Sequence, residues 1–240
     1  MTFKAIFEIY RMAILRQMQA MKDSDRSNID KLKQALWKTT EKLAEHSLRC
    51  QDMITRHSKN VLRPGITILV HSYSKNVMSV LKSAVRNKIG IKVIATESFP
   101  MNSGKVVQKE CQEAGIPCKL VHDAAIGLCM GEIDCVFVGA DCVLENGGIV
   151  NRIGTYTIAL CAKAYNKPFY VFVESLKFFK RFPLEQSDIL SFMDEANENQ
   201  DIFDEGIDFT PPEYISELFT DIGIYTPSAV SDELIKFFQN

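Results

Sequence analysis

No stretch of this 240-residue sequence approaches the ~18 consecutive apolar residues that a membrane-spanning helix needs. Its first residues, MTFKAIFEIYRMAILRQ, are broken by Lys4, Glu8, Arg11 and Arg16, which denies them the uninterrupted apolar core of a signal peptide. A soluble, cytoplasmic protein without a membrane partner is expected. Basic charge is not in excess either: the formal net charge is -2 and the isoelectric point about 6.1, so no broad nucleic-acid-binding face is expected. Glycine fingerprints are also missing. No G-x-G-x-x-G follows a strand, which removes the usual dinucleotide signature. Around Ser103-Gly104-Lys105, Phe99 stands where a phosphate-binding loop needs its first glycine, and Val106 where it needs Ser or Thr. The absence of G-x-S-x-G excludes a nucleophile elbow. Seven cysteines form an odd set with no C-x-x-C pair, which argues for reduced thiols and against a disulfide framework. His46, His57, His71 and His122 stand apart in the sequence, so neither a metal nor a cofactor is expected.

What is present has globular proportions, with 46% apolar and 24% charged residues. Charge is unevenly placed: residues 1–181 hold 27 Lys and Arg against 16 Asp and Glu, whereas residues 182–240 hold one against 14. A solvated acidic region accounts for this, as does a surface that docks on a copy or a relative of the chain. Phe3, Ile6, Phe7, Tyr10, Ile14, Met18 and Met21 recur at helical spacing, as do Ile29, Leu32, Leu36 and Leu43. Residues 1–60 therefore read as a helical region, with a break at Lys22–Asp25.

After Pro64-Gly65 the period changes. Apolar, β-branched runs at 66–72, 92–98, 118–123, 135–141 and 169–175 alternate with helix-like stretches at 76–88, 104–115 and 155–165. Runs that are apolar on both faces, separated by helices, predict an α/β fold with a Rossmann-like, doubly wound, mostly parallel sheet over residues 61–240. Residues 185–212 read as a long acidic loop. Thr226-Pro227-Ser228 opens a last helix bearing Val230, Leu234, Ile235 and Phe238.

Ligands in such folds bind beyond the carboxyl ends of the strands. The predicted strands end in polar residues: His71-Ser72-Tyr73-Ser74, Glu97-Ser98, His122-Asp123, Asp141 and Glu174-Ser175. Asp141 follows FVGA at the end of what should be a central, buried strand, where a carboxylate could orient a hydroxyl or move a proton, or simply cap the following turn. Lys105 at one predicted helix start, and Asn151, Arg152 and Thr155 at another, offer donors to a phosphate.

The segment VGADCVLENGGIVNRIGTYTIALCAKAYNKPFYVFVES, with ILVHSYSKNV, ATESFPMNSGK and LFTDIGIYTPSAVSDELIKFFQN, resembles a known family. That family joins the regulatory subunits of eukaryotic translation initiation factor 2B to isomerases acting on methylthioribose 1-phosphate and ribose 1,5-bisphosphate. The closing stretch is most similar to the alpha regulatory subunits. The resemblance, clear from about Val61 to the end, implies a non-catalytic regulatory subunit of the guanine-nucleotide exchange factor for initiation factor 2. Such a subunit bridges the complex as a homodimer, assembles with the other initiation factor 2B subunits and helps to sense the phosphorylated alpha subunit of initiation factor 2. It also implies a sugar-phosphate pocket, here drawn on Ser72, Tyr73, Lys105, Asp141, Asn151, Arg152 and Thr155. Phe219, Val230, Leu234, Ile235 and Phe238 are the candidates for contact between copies. In the isomerases a cysteine at the end of the first strand acts with the aspartate of V-G-A-D. This chain keeps the aspartate as Asp141 and has Ser72 in the cysteine's place, so no catalytic residue is expected. An aldose–ketose isomerase using Asp141, and a regulatory subunit whose old active site senses a metabolite, are the alternatives.

Overall fold

The computed structural model describes residues 29–189 and 206–239, with Arg11, Ile14 and Leu15 near the start; in the last helix side chains are described as far as Leu234. Apart from Ile14, the first apolar stripe lies outside the described residues, as do its break and residues 190–205. Helix α1 runs over Ile29–His57. Cys50 and Ile54, one turn apart, are fully buried, whereas Trp37 and Leu48 are exposed. Its last two turns fix α1 to the body, against α2 (Lys75–Arg86).

Period-two patterning organises the main sheet. Strands β1 (Thr67–His71), β2 (Lys92–Thr96), β3 (Cys118–Val121), β4 (Cys135–Val138) and β7 (Phe169–Phe172) pair in parallel, with β10 (Glu217–Phe219) joining β7 and β11 (Ile224–Tyr225) closing the edge antiparallel. The spatial order is β11-β10-β7-β4-β1-β2-β3, a doubly wound sheet in which chain order reverses between β1 and β4. Successive side chains point to opposite faces. Ile68, Val70, Cys135 and Phe137 enter one core with α1, α2 and α3 (Gly104–Glu113). Leu69, Val136 and Val138 enter the other, beneath the short helix α4 (Ile126–Cys129), α5 (Thr155–Ala164) and α6 (Pro227–Gln239). Phe137, Phe172 and Phe219 form an aromatic column in the first core, with centroid spacings of 4.6 and 5.0 Å.

The predicted strands and helices agree with these elements to within a few residues. Two expectations need correction, and one element was not foreseen. Residues 142–152 are a hairpin, β5 (Cys142–Leu144) and β6 (Ile149–Arg152), inserted directly after β4; with β8 (Phe178–Phe179) and β9 (Ile207–Thr210) it makes a second, four-stranded sheet. The interval read as a long loop thus contains β9, which pairs with β6 and buries Ile207 and Phe209. Gly147 turns the hairpin at a φ of +82°, and a Cβ there would lie 2.2 Å from the Pro227 carbonyl oxygen, so the turn sits directly on the start of α6. Finally, Phe219, Val230 and Leu234 are buried in the chain's own two cores and present no surface to a second copy. The side chains of Ile235 and Phe238 lie outside the described ones.

Candidate functional site

A cleft of about 240 Å³ opens where the carboxyl ends of β1 and β4 diverge, the position at which reversed strand order leaves a crevice. One wall is the β1–α2 turn. Ser72 leaves β1 at a φ of +61°, a left-handed conformation costly for a residue with a Cβ, and Ser74 then caps α2, accepting from the Val77 N–H at 3.5 Å. The other wall follows β4. Gly139 lets the walls touch, since a Cβ on it would meet Ser74 Cβ and Oγ at 2.7 Å. Glu174 and Lys177, just beyond β7, close the third side, and the Lys177 ammonium donates to the Ala140 carbonyl at 3.0 Å.

Four of the seven expected ligand residues line this cleft: Ser72, Tyr73, Asp141 and Asn151. Two more support it. Arg152 Nη2 lies 3.6 Å from Asp141 Oδ2, so the cation and the carboxylate hold each other at the rim. Thr155 donates to the Arg152 carbonyl and accepts from Asn151 Nδ2 at 3.1 Å, fixing the amide that faces the cleft. Lys105 is exposed and is not in the lining. The amides at the start of α3 are already used: Gly104, Lys105, Val106 and Val107 donate to the carbonyls of Glu97, Asn102, Ser103 and Ser103 at 3.0–3.3 Å. A Cβ on Gly104 would lie 1.8 Å from the Thr96 carbonyl oxygen, so this glycine serves close packing of helix on strand and leaves no phosphate cradle.

The second anion-friendly helix start is filled from within. Asp208, on β9, accepts from Gly154 N–H at 2.8 Å and from Tyr156 N–H at 3.0 Å through the same oxygen. Its other oxygen is buried and has no hydrogen-bond partner among the described residues. Burial outweighs the two donors and pushes the carboxyl up to about 7. The chain thus places its own carboxylate where an external anion was expected.

Lys75, Asn76 and Lys177 line the cleft without having been singled out in the sequence, and His71 was named there only as part of a polar strand end. His71 is buried, with Nδ1 2.6 Å from Thr96 Oγ1 and Nε2 2.9 Å from the Ile153 carbonyl. The carbonyl must receive a proton, which assigns N–H to Nε2 and makes Nδ1 the acceptor of the Thr96 hydroxyl. Burial lowers its pKa, so this neutral ring is a fixed strut between β1 and the loop leading into α5. Asn76 lines the cleft, is 4% exposed, and its Oδ1 has no partner among the described residues. Neither Asn76 nor Lys177 belongs to a motif; only the strand-end rule, extended one helical turn into α2 and three residues past Glu174, would have reached them. The ends of β2 and β3 do not join the cleft. Asp123 accepts from the Ser98 and Phe99 N–H groups at 2.8 Å each, and His122 Nδ1 lies 2.7 Å from Glu97; these polar residues tie two loops together.

Chemically, the cleft offers hydroxyls, two amides, two carboxylates and cations from Lys75, Lys177 and the neighbouring Arg152, a set suited to a small polar anion. No cysteine lines it. Ser72 Oγ accepts from the Ser103 hydroxyl at 3.2 Å, so its neighbour is another alcohol rather than a base.

A profile of the initiation factor 2 subunit family matches residues 9–227. The chain is 39% identical over 242 residues to translation initiation factor eIF2B subunit alpha of Dictyostelium discoideum, covering 94% of this chain and 75% of that protein. It is 36% identical over 174 residues to the ribose 1,5-bisphosphate isomerase of Archaeoglobus fulgidus, covering 69% of this chain and 56% of that one. Among solved structures, a chain of the tetrameric eIF2B-beta2-delta2 complex from C. thermophilum superposes with a TM-score of 0.78 at 20% identity, covering 98% of this chain and 73% of that one; this likeness bears on the fold. A profile match across nine-tenths of the length and 39% identity to a named relative show that the chain belongs to the initiation factor 2 subunit family.

Proposed function

We propose that this chain is an alpha-type regulatory subunit of initiation factor 2B, the guanine-nucleotide exchange factor for initiation factor 2. It does not itself catalyse exchange. A helical region (1–60) and an α/β domain (61–240) divide the work: the α/β domain pairs two copies and bridges the complex, and the assembly with the other subunits senses the phosphorylated alpha subunit of initiation factor 2. Regulation is then a population shift, in which the phosphorylated partner favours a less active arrangement. Contact between copies uses residues other than Phe219, Val230 and Leu234. The 39% identity to a relative named as an alpha subunit supports this reading.

The cleft, in this reading, is a former active site that holds a sugar phosphate. One observation carries the loss of catalysis: the strand end that faces Asp141 bears Ser72, hydrogen-bonded to another alcohol. An alcohol is a far weaker acid than a thiol and cannot shuttle a proton without an activating base. What remains is suited to binding. Arg152 and Lys177 supply positive charge, Asn151 is held in place by Thr155, and the orphan Oδ1 of Asn76 awaits a hydroxyl donor.

Mild affinity purification of the chain from its own cells, followed by native mass spectrometry, tests the assembly. Recovery with the other subunits of the exchange factor is expected; recovery as a homodimer alone, with none of them, would overturn it. The isomerase reading draws on the 36% identity to a ribose 1,5-bisphosphate isomerase. It requires turnover of that substrate which disappears in Asp141→Asn.

A further inference from the structure

We propose that His46, Cys50 and Asp221 form a binding site for a divalent transition metal, zinc by preference, at the junction of α1 with the main sheet. His46 and Cys50 are four residues apart on α1, hence on one face of the helix. Asp221 follows β10 and faces them. His46 Nε2 lies 2.9 Å from Asp221 Oδ2, and the Cys50 sulfur lies within 4.8 Å of both ligand atoms. A tetrahedral ion with bonds of about 2.0–2.3 Å needs donors about 3.3–3.8 Å apart, so binding would spread the His46–Asp221 pair slightly and draw the Cys50 sulfur inward.

Three features distinguish the cluster from an ordinary ion pair beside a buried thiol. Cys50 is fully buried and faces the negative charge of Asp221 and Glu174, which together with burial push its thiol well above the ordinary range. A cation reverses that electrostatic penalty. Asp221 is held from behind, accepting from the Ser175 N–H at 2.6 Å and the Ser175 hydroxyl at 2.8 Å, the kind of support that orients metal-ligating carboxylates. The His46 side chain is 42% exposed while that of Asp221 is 1% exposed, so the site has an entrance on one side, with room there for water as a fourth ligand. On binding, the Cys50 proton is released to solvent as the thiolate–metal bond forms, and neutral His46 offers its Nε2 lone pair with its proton on Nδ1. The spacing H-x-x-x-C escaped the sequence reading because histidines and cysteines were each weighed by themselves, and because Asp221 lies 171 residues beyond Cys50.

The test is titration of the reduced, chelator-treated full chain with cobalt(II) and then zinc(II). One equivalent of cobalt is expected to give the near-ultraviolet charge-transfer band of thiolate ligation, displaced by zinc. Cys50→Ser should abolish the band. His46→Gln, at a half-exposed position that folding tolerates, should weaken zinc binding, and Ser175→Ala should weaken it by about tenfold through the orientation of Asp221. Absence of the band in the folded chain, or its persistence in Cys50→Ser, would overturn the proposal. The readout does not depend on the subunit assembly or on the cleft, so its failure leaves the proposed function untouched.

Discussion

Asp208 gives the sharpest physical prediction. Its carboxyl is pushed up to about 7 from an ordinary 3.8, so between these values the folded chain holds a proton there that the unfolded chain has lost. The folded state then binds more protons than the unfolded one, and stability falls as pH rises through this window. The contribution is whole below about pH 4 and is lost as pH passes 7. Over pH 5 to 8 the loss amounts to roughly 2.5 kcal/mol, from 1.36 kcal/mol per unit of fully differential titration. In a chain of this size that corresponds to about 5–10 °C in melting temperature. Asp208→Asn keeps an oxygen that can accept from the Gly154 and Tyr156 N–H groups and removes the titration. Melting curves of both proteins from pH 5 to 8 isolate the effect. Other groups titrate in the same range, and His71, whose pKa is lowered by burial, pulls with the opposite sign, but such terms are common to both proteins and cancel in the difference. The expected result is a gap that moves in favour of Asp208→Asn as pH rises. Parallel curves would show that the two N–H donors and the helix start stabilise the ionised carboxylate as much as burial penalises it, and would refute the reasoning.

Three further perturbations follow from packing and from the cleft. Leu234→Ala should cost about 2–5 kcal/mol of stability, read by urea denaturation, because Leu234 is 2% exposed within a single chain; a dimer that dissociates with chain stability unchanged would contradict this. Gly139→Ala should cost about 1–3 kcal/mol, since its Cβ must displace Ser74, and adding Ser74→Gly should restore most of that loss by removing the clashing atoms, a coupling that a double-mutant cycle measures. Asn76→Ala should leave the free chain within about 1 kcal/mol of its parent, because an unpartnered buried oxygen is itself a cost of about 1–3 kcal/mol, while reducing the thermal stabilisation given by a sugar phosphate; equal stabilisation of both proteins would remove Asn76 from the site.

Which parts of this molecule were legible in its sequence follows from the range over which each signal acts. Strands such as 135–138 are buried on both faces, so a continuous apolar run between helices sufficed to place them. The hairpin after Asp141 is three or four residues a side, too short to show a period, and its glycines read equally well as a loop. Strand β9 was hidden because its partner, β6, lies more than fifty residues earlier; its four residues gain regular structure only by that pairing. The amphipathic closing helix was found, but its apolar face was given to a second copy. A hydrophobic stripe states that something must cover it and not what, and here the main sheet covers it.

The candidate site divides along the same line. Residues at the ends of β1 and β4 were found because the fold class itself says where to look, and four of the seven named residues line the crevice. The two helix starts offered as phosphate cradles were misjudged for one reason: helix-start amides invite an anion or an acceptor, and the sequence does not say whose. At α3 the preceding loop folds back and its carbonyls take them. At α5 they receive Asp208, a residue on a strand that sequence reasoning had not placed. In both cases the chain satisfies locally what a ligand would otherwise have satisfied, and the positive charge left at the cleft comes from side chains, Arg152 and Lys177, rather than from helix ends. That allocation suits a pocket whose affinity depends on how Arg152 is shared between Asp141 and an incoming anion. In the proposed binding role, an incoming anion would compete with Asp141 for the Arg152 guanidinium, 3.6 Å from the carboxylate.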